Sequence, residues 1–406
     1  MIADPRFCRY FGKEVSEDTG RIKTEKVEKD LCNLFLESVQ SRERILFFKA
    51  LRKGEKIMRK TLIFLSVLAM TFFIINAIGS SPVMAQKKPV VLRHVIATPE
   101  GDYPQTFRDK EMAKRFNERA KGEYVIEVYA GGALAKLPEY FDAIRIGAVE
   151  MEFSNWGMFS FLDPRLGLLE TPFLFTNNHA TSASSKMLLP LFDQILQEKF
   201  NAKGVAMMST GGLGLWSRKP IKKLEDWKGL LTASVSPVTS TLIKDLGGSP
   251  VTIVYFEIYE ALAKKTVDAA AQSAHGGVVF SFPDVCKYFT AFFGVPASAG
   301  YSINLDVWKK MPPHIQKILQ EETARAADWM ANVMVTDLPD SDLKVFKEKG
   351  VTVYYLPKAE RDKWAKQLEP YKEKQFSSFG ELGQKVKKIA DELNKKYPYV
   401  PDKGIL

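Results

Sequence analysis

Short apolar runs alternate with segments of helical period along most of the chain. VVLRHVIAT predicts a strand that starts near residue 90. Residues 105–121 place Phe107, Met112 and Phe116 on one side of a helix that Gly122 ends. YVIEVYAGG alternates like a half-buried strand. Because this alternation is typical of a sheet with helices on its faces, the pattern predicts an α/β fold.

The pattern changes in the glycine-rich stretch GGLGLWSRKPI, residues 211–221. A second set of strands and helices follows as far as Phe293, and a long helix is predicted from Pro312 to about Val335. Two α/β lobes joined by more than one crossing fit this order better than one continuous sheet. We predict that lobe 1 comprises residues 86–211 and 298–338, and lobe 2 residues 212–297 and 339–406.

A secretory signal peptide is predicted at residues 58–85. Arg59 and Lys60 form a basic start, an apolar run follows from Leu62 to Ile78, and VMA provides a small-residue cleavage site. A transmembrane anchor is the alternative, because about 17 apolar residues approach the length of a membrane span. A signal peptide must be N-terminal to be read, so residues 1–57 are expected to be a misassigned extension, with Met58 the true start.

Removal of residues 1–85 changes the charge and the cysteine content. The formal net charge falls from +10 to +5, and no block of basic residues remains that would favour a nucleic-acid partner. Cys286 is the single cysteine left, so neither an internal disulfide nor a zinc site of paired cysteines is expected.

The sequence offers little chemistry for catalysis. His94, His179, His275 and His314 are isolated from one another, and no nucleophile elbow, phosphate-binding loop or C-x-x-C pair is present. We therefore expect neither an enzyme nor a cofactor. An exported, two-lobed, aromatic-rich chain without a catalytic motif is typical of a protein that binds a small molecule between its lobes.

Four stretches resemble one family, the extracytoplasmic solute receptors of tripartite ATP-independent periplasmic (TRAP) transporters, DctP type. They are GLLETPFLFTNNHA, SRKPIKKLEDWKGL, LGGSPVTIVYFEIYEALAKKTVDAA and VCKYFTAFF, in the family's order, and the likeness covers residues 90–400. The resemblance implies a two-lobed periplasmic binding protein fold, with a ligand cleft between the lobes and a long helix bracing both. It also implies delivery of a solute to a small and a large membrane permease subunit.

The ligand-gripping arginine of this family has no counterpart in the expected place. By resemblance it falls on Thr232 or Ala233, within LLTASVSPVTSTL, a stretch without charge, and a second common arginine falls near Leu213. Two accounts remain open. The ligand is neutral or carries its charge elsewhere, which we favour, or another cation has moved to the cleft. The candidate cations are Arg93, Arg145, Arg165 and Arg218.

Nine residues are candidate ligand contacts, each with packing in the core as its structural alternative. They lie at predicted strand ends or in segments that face the cleft in the resembling family. They are His94, Asn155, Trp156, Trp216, Thr232, Ser234, Tyr255, Gln272 and His275. A bound metal is not expected, because Ala271 occupies the position where some family members carry an acidic ligand.

The favoured function is a monomeric periplasmic receptor that captures a small solute by closure of the cleft. Two alternatives stay open: a sensor that signals through a membrane protein, and a secreted enzyme on a related frame.

Overall fold

Two open β-sheets organise the computed structural model, which describes residues 88–101, 103–333 and 340–400. The predicted extension at 1–57 and the predicted signal peptide at 58–85 lie outside these residues. None of the helices in the described ranges has both the length and the apolar character needed to cross a bilayer. The α/β fold with two lobes, predicted from the sequence, is confirmed.

The first sheet has the strand order β2-β1-β3-β10-β4. Strand β1 runs parallel to β2 and β3, whereas β10 runs antiparallel to both β3 and β4. A strand from late in the chain therefore lies in the centre of a sheet made otherwise from its first part. The strands are β1 (Val90–Ile96), β2 (Tyr124–Tyr129), β3 (Met151–Asn155), β4 (Ala202–Ser209) and β10 (Ser298–Asn304).

The second sheet has the order β11-β9-β5-β8-β6-β7. Strand β5 is antiparallel to β8 and β9, while β6 lies parallel between β7 and β8. Strand β11 pairs with β9 in parallel and adds the last part of the chain to this lobe. The strands are β5 (Leu213–Ser217), β6 (Leu231–Ser234), β7 (Ser249–Thr252), β8 (Ala269–Ser273), β9 (Tyr288–Ala291) and β11 (Thr352–Tyr355).

Helices cover both sheets. They are α1 (Pro104–Ala120), α2 (Tyr140–Arg145), α3 (Asn178–Phe200), α4 (Leu224–Trp227), α5 (Pro237–Asp245), α6 (Ile258–Ala263), α7 (Ala274–Val279), α8 (Phe282–Val285), α9 (Leu305–Lys310), α10 (Pro313–Val333), α11 (Asp340–Lys349), α12 (Lys358–Gln367), α13 (Glu369–Ser378) and α14 (Gly380–Lys396). Short 3₁₀ turns span Leu137–Glu139, Trp156–Phe161, Pro164–Glu170 and Tyr255–Glu257.

Local sequence accounts for the ends of the two large helices of the first lobe. Pro104 opens α1, since its fixed φ suits the first helical position, and Lys121 ends it in the left-handed region before Gly122. Asn177 caps α3, because its side chain accepts a hydrogen bond from the backbone N–H of Ala180 at 3.0 Å.

The final part of the chain divides between the lobes. Helix α12 packs on the second lobe, where Trp364 lies 5.7 Å from Trp227 between ring centroids. Helix α14 instead joins the core of the first lobe beside α3. The described part of the long helix α10 packs against α1 and β4 of the first lobe, and its predicted role of bracing both lobes stays a prediction.

Candidate ligand-binding site

The carboxyl ends of strands from both sheets meet at one cavity of about 90 Å³, which we name the inner chamber. Strand β3 reaches it from the first lobe, and β8 followed by α7 reaches it from the second. Ligands of α/β proteins bind at such strand ends, where loops converge. The walls are formed by Ala97, Thr98, Gln105, Leu137, Phe153, Ser154, Asn155, Met158, Thr210, Tyr255, Gln272, Ser273, His275, Gly276, Val279, Phe280 and Ala297.

A larger cavity of about 550 Å³, which we name the outer vestibule, adjoins the inner chamber. The two cavities share Leu137, Met158 and Tyr255 in their walls. Residues from both lobes line the vestibule, including Phe161 of the first and Phe256 of the second. The cleft therefore contains a small compartment and a larger, mostly apolar compartment beside it.

Charge is distributed unevenly between these two compartments. Lys136, Glu139 and Glu257 line the outer vestibule. The described walls of the inner chamber contain no lysine, arginine, aspartate or glutamate. A solute in the inner chamber therefore meets hydrogen-bonding groups and aromatic faces rather than a fixed charge.

The first-lobe wall presents amide and hydroxyl groups. The Thr210 hydroxyl lies 3.1 Å from Asn155 Oδ1 and 3.3 Å from the Ala297 carbonyl, and can donate to either. When it donates to Asn155, the amide nitrogen of Asn155 stays available as a donor. Gln105, in the first turn of α1, has a buried Oε1 without a hydrogen-bond partner. Buried acceptors without partners cost free energy, so this oxygen is suited to a solute donor.

The second-lobe wall combines an ordered amide with an aromatic corner. Gln272 Oε1 accepts from the backbone N–H of Ser273 at 2.8 Å. A Cβ on Gly276 would lie 2.6 Å from that oxygen, so glycine is needed for the amide to lie there. The Tyr255 ring meets Phe280 edge to face at 4.6 Å. Burial raises the pKa of Tyr255 to about 12, so its hydroxyl stays neutral and able to donate.

His275 contributes a ring nitrogen to the same wall. Its Nδ1 lies 3.0 Å from Oδ1 of Asp342, and both side chains are buried. The other ring nitrogen, Nε2, is buried and has no hydrogen-bond partner. No sequence motif links Asp342 with His275, which lies 67 positions earlier in the chain.

The inner chamber brings together four of the nine predicted contacts: Asn155, Tyr255, Gln272 and His275. The other five lie outside its walls, each held by a partner within one lobe. They are His94, Trp156, Trp216, Thr232 and Ser234.

The two tryptophans are core residues. Trp156 is fully buried, donates to Glu152 Oε1 at 3.2 Å, and packs so closely on Gly300 that a Cβ there would lie 2.3 Å from the indole. Trp216 is also fully buried and donates to the Ser273 carbonyl at 3.1 Å. Large apolar rings are stabilised most by complete burial, which explains why these two turn away from the cleft.

The hydroxyl residues of β6 are also internal. Thr232 Oγ1 accepts from Trp227 Nε1 at 2.9 Å, and the hydroxyls of Ser234 and Ser240 lie 2.6 Å apart. These hydroxyls form hydrogen bonds within the second lobe. The neutral stretch around β6 is therefore part of the core of that lobe. Buried core residues, Thr232 and Ala233, therefore occupy the place where the family's arginine is expected.

His94 and the four candidate arginines have local partners. His94 Nε2 lies 3.4 Å from Asp109 in the first-lobe core. Among the arginines, Arg93 pairs with Glu150, Arg145 with Asp142, Arg165 with Asp163, and Arg218 donates to the Val267 carbonyl. None of the five residues is part of the described inner-chamber walls.

A buried cation that packs on the chamber wall was not predicted from the sequence. Arg108 is 2% exposed, pairs with Asp109 at 2.7 Å, and lies 3.9 Å from the ring centroid of Phe153, which lines the inner chamber. Arg108 itself is not among the described lining residues. Its spacing offered a signal, because Arg108 precedes Met112 and Phe116 at intervals of four on the buried face of α1.

Two buried glutamates lie near the cleft. Burial raises the pKa of Glu152 to about 7, against hydrogen bonds from Ser302 and Trp156 that lower it. Burial likewise raises the pKa of Glu170 to about 7, and Ser236 counteracts this by donating to its Oε2 at 2.5 Å. Glu170 belongs to the first lobe, and Ser236, which follows β6, belongs to the second. This hydrogen bond therefore joins the lobes.

Comparisons with known proteins agree with this architecture. The family described as bacterial extracellular solute-binding protein, family 7 (DctP), matches residues 97–378. The C4-dicarboxylate-binding protein DctB of Bacillus subtilis is 26% identical over 285 residues, which cover 68% of this chain and 79% of that protein. The 2,3-diketo-L-gulonate-binding periplasmic protein YiaO of Escherichia coli is 27% identical over 261 residues, 61% of this chain and 77% of that protein.

Solved structures share the fold. An extracytoplasmic solute receptor of Bordetella pertussis that binds pyroglutamic acid superposes with a TM-score of 0.69 at 19% identity, covering 74% of this chain and 99% of that one. A TRAP periplasmic solute-binding protein of Pseudomonas putida F1 with bound D-glucuronate gives a TM-score of 0.67 at 20% identity, over 73% and 96% of the two chains.

Proposed function

This chain belongs to family 7 of the bacterial extracellular solute-binding proteins, the DctP receptors of TRAP transporters, and we propose that it captures a small neutral organic solute between its lobes. The solute is handed to a small and a large membrane permease subunit. The known relatives in this family are solute receptors, and the proposal assigns this chain no catalytic step.

The observation that carries the choice of a neutral solute is the uncharged inner chamber. The ligands named for the compared relatives, such as C4-dicarboxylates and D-glucuronate, are carboxylates. A carboxylate buried without a paired cation costs several kcal/mol or more to desolvate. Arg108, a buried cation that packs on Phe153 of the chamber wall, does not line the described chamber and is already paired with Asp109.

Binding is proposed to depend on amide, hydroxyl, imidazole and aromatic contacts from both lobes. Asn155 and Gln105 serve from the first lobe, and Tyr255, Gln272 and His275 from the second. Because each lobe supplies part of the polar wall, a bound solute favours the closed cleft over an open one. The hydrogen bond from Ser236 to Glu170 adds a direct contact between the lobes.

A thermal-shift screen tests the choice of solute. Neutral polyols, amides and small aromatic solutes are compared with succinate and D-glucuronate at matched concentration. A solute at a hundredfold excess over its Kd stabilises the fold by about 2.7 kcal/mol, so we expect clear shifts only among neutral members. Stabilisation by the anions alone would overturn the neutral-solute proposal.

A matched pair of variants localises the binding. Gln272→Leu removes the amide from the inner chamber, and we expect it to abolish the shift caused by a neutral solute. Gln194→Leu makes the same change on the exposed side of α3 and should leave that shift unchanged. Equal effects of both variants would show that the solute binds elsewhere.

Export is proposed to remove the predicted signal peptide. N-terminal sequencing of the protein from the periplasm should find a start close to residue 86. A start within residues 1–57 would contradict both the misassigned extension and the cleaved signal.

A further inference from the structure

The inner chamber is too small to hold a whole organic solute. Its volume of about 90 Å³ is smaller than a protein cavity of about 150 Å³, which holds one benzene molecule. The outer vestibule, with about 550 Å³, lies within the range of about 300–1,000 Å³ that is usual for pockets of organic ligands. The inner chamber therefore has room for a small polar group, and the rest of a solute must lie in the outer vestibule.

The first lobe contributes an exposed aromatic ring to the outer vestibule. Phe161 ends the 3₁₀ turn Trp156–Phe161 and is 57% exposed, although Trp156 and Phe159 of the same turn are buried. Met158, also from this turn, is half-buried and lines both cavities. Phenylalanine is usually buried, so a ring that stays exposed in the wall of a cavity is a candidate contact for a ligand.

The second lobe contributes a similar ring from the turn Tyr255–Glu257, in which no residue is buried. Val254 and Phe256 are 50% and 42% exposed, and both line the outer vestibule beside Tyr255. The ring of Phe256 meets that of Phe280 edge to face, with the centroids 6.0 Å apart, and Phe280 lines the inner chamber. Aromatic side chains in contact therefore extend from one cavity to the other.

The two exposed rings occur together, and they come from opposite lobes. Every other phenylalanine of the described residues is buried or half-buried. Exposed apolar side chains that are scattered singly are ordinary, whereas a group of them in a concave site is typical of a ligand-binding groove. A solute that contacts both Phe161 and Phe256 covers apolar surface on both lobes and therefore favours the closed cleft.

The charged groups of the outer vestibule disfavour an anionic group on this part of the solute. Lys136, Glu139 and Glu257 line the vestibule, so two carboxylates accompany one ammonium group. The Glu139 carboxylate accepts from the backbone N–H of Lys136 at 3.0 Å, within its own turn. All three residues are exposed, and an ion pair at an exposed position contributes little to binding. Covered apolar surface is the larger source of affinity here.

We propose that this receptor selects a neutral two-part solute, with a small polar head group in the inner chamber and an apolar body, alkyl or aryl, in the outer vestibule against Phe161 and Phe256. These two phenylalanines are the specificity-determining residues for the body. The inference rests on the proposed function and narrows it from neutral solutes in general to those with an apolar body. Polyols are disfavoured, because apolar rings leave their hydroxyl groups without hydrogen bonds.

Calorimetric titration with three primary amides tests the inference. Hexanamide and D-gluconamide share the head group and the chain length, but gluconamide carries hydroxyls along the chain, and acetamide has little more than the head group. We expect hexanamide to bind at least about tenfold more tightly than either, because only its chain covers the apolar walls. Equal or tighter binding of D-gluconamide, or no binding of hexanamide, would overturn the inference.

Two variants locate the apolar body. Phe161→Ala and Phe256→Ala each remove one exposed ring, so both proteins should fold, and we expect each change to weaken hexanamide binding at least about fivefold. Matched controls are Ile146→Ala in the first lobe and Leu231→Ala in the second. These side chains are 70% and 43% exposed and line neither of the two described cavities. Unchanged binding in both phenylalanine variants, or equal losses in the controls, would contradict the inference.

A membrane permease subunit is the alternative partner for these rings. In that case Phe161→Ala and Phe256→Ala would keep full affinity for hexanamide in solution, and cells that carry the permease subunits would lose solute uptake. That pair of results would overturn the inference. Loss of affinity in the purified receptor supports the inference, because no permease is present in that experiment.

Failure of the inference is distinguishable from failure of the proposed function. 3-Phenylpropanamide is compared with 3-phenylpropanoate, which keeps the apolar body and exchanges the neutral head group for a carboxylate. Binding of D-gluconamide without binding of hexanamide or 3-phenylpropanamide would overturn the inference and leave the neutral-solute receptor standing. Binding of 3-phenylpropanoate without binding of any amide would overturn the neutral-solute function, and the inference with it.

Discussion

Two buried histidine–aspartate pairs, one in each lobe, differ in what surrounds them. His94 and Asp109 lie within the first-lobe core, whereas His275, which pairs with Asp342, lines the inner chamber. In both pairs the second ring nitrogen has no hydrogen-bond partner among the described residues. Burial and pairing are therefore shared by both histidines, and only the position of His275 beside a cavity distinguishes the two.

The aspartates differ as much as the histidines do. Asp109 accepts from the Tyr301 hydroxyl as well as from Arg108 at 2.7 Å. Burial alone would raise the pKa of Asp109, but the charge of Arg108 and the bond to His94 lower it below its usual value. The first pair thus belongs to a closed ionic network that supports the fold, and the second is a smaller pair whose histidine lines the inner chamber.

The largest expected effect comes from breaking the closed network. Asp109→Asn leaves the buried Arg108 guanidinium without its counter-charge, so we expect the free energy of unfolding to fall by about 3–5 kcal/mol. Urea denaturation measures it. Asp342→Asn weakens one buried hydrogen bond to His275 and should cost about 1–2 kcal/mol. Equal losses would erase the distinction between the two pairs.

The stability of the first lobe is also expected to depend on pH, through the buried carboxyl of Glu152. The pKa of Glu152 is raised from 4.5 to about 7, so the folded state holds its proton more tightly and stability falls as pH rises between these values. The corresponding free energy is about 3 kcal/mol. In urea titrations across pH 4 to 8, we expect Glu152→Gln to remove that contribution, while the similar slope from Glu170 remains.

The control for this pH experiment is Glu118→Gln, on the exposed side of α1. It should leave the slope of stability against pH unaltered. A full slope in Glu152→Gln would mean that this carboxyl does not hold its proton at neutral pH.

Removal of the hydrogen bond between Ser236 and Glu170, which joins the lobes, is expected to lower the free energy of unfolding by a smaller amount. Ser236 donates to Glu170 and also caps α5 by accepting from the Thr239 N–H at 3.1 Å. Ser236→Ala removes both hydrogen bonds and should lower the free energy of unfolding by about 1–2 kcal/mol. Thr241→Ala, at a half-buried position of the same helix whose hydroxyl donates only to the Pro237 carbonyl one turn earlier, serves as the reference. Equal stability of the two variants would argue against the contact.

The smallest effect is expected at the site that the sequence had favoured. Ser234→Ala removes one hydroxyl contact with Ser240 and should cost less than about 1 kcal/mol. Because Ser234 lies outside the inner chamber, the shift in melting temperature caused by a neutral solute should not change. Loss of that shift in Ser234→Ala would indicate that the solute binds at β6.

The fold and half of the site follow from local pattern. The period of the apolar residues predicts α1 at 105–121, close to its observed bounds of Pro104–Ala120. Asn155, Tyr255, Gln272 and His275 were predicted because they lie at a strand end or in segments that face the cleft in the resembling family, and all four line the inner chamber. Their choice therefore depended on the resemblance as well as on the local sequence.

The rest of the site depends on distant packing. Gln105 and Thr210 have no sequence signal beyond being polar, and Asp342 meets His275 across 67 positions. Thr232 was chosen because the resembling family carries an arginine near that place, but here the Trp227 indole donates to its hydroxyl. The sequence alone does not reveal which hydroxyl will accept a hydrogen bond from a neighbouring core tryptophan.

The central position of β10 has a consequence for how the protein folds. Its residues pair with β3 on one side and β4 on the other, although they follow both by about a hundred positions or more. Neither sheet is complete in a chain that stops before residue 298, so neither lobe can be excised as one continuous fragment. Completion of either sheet therefore requires residues that are synthesised late.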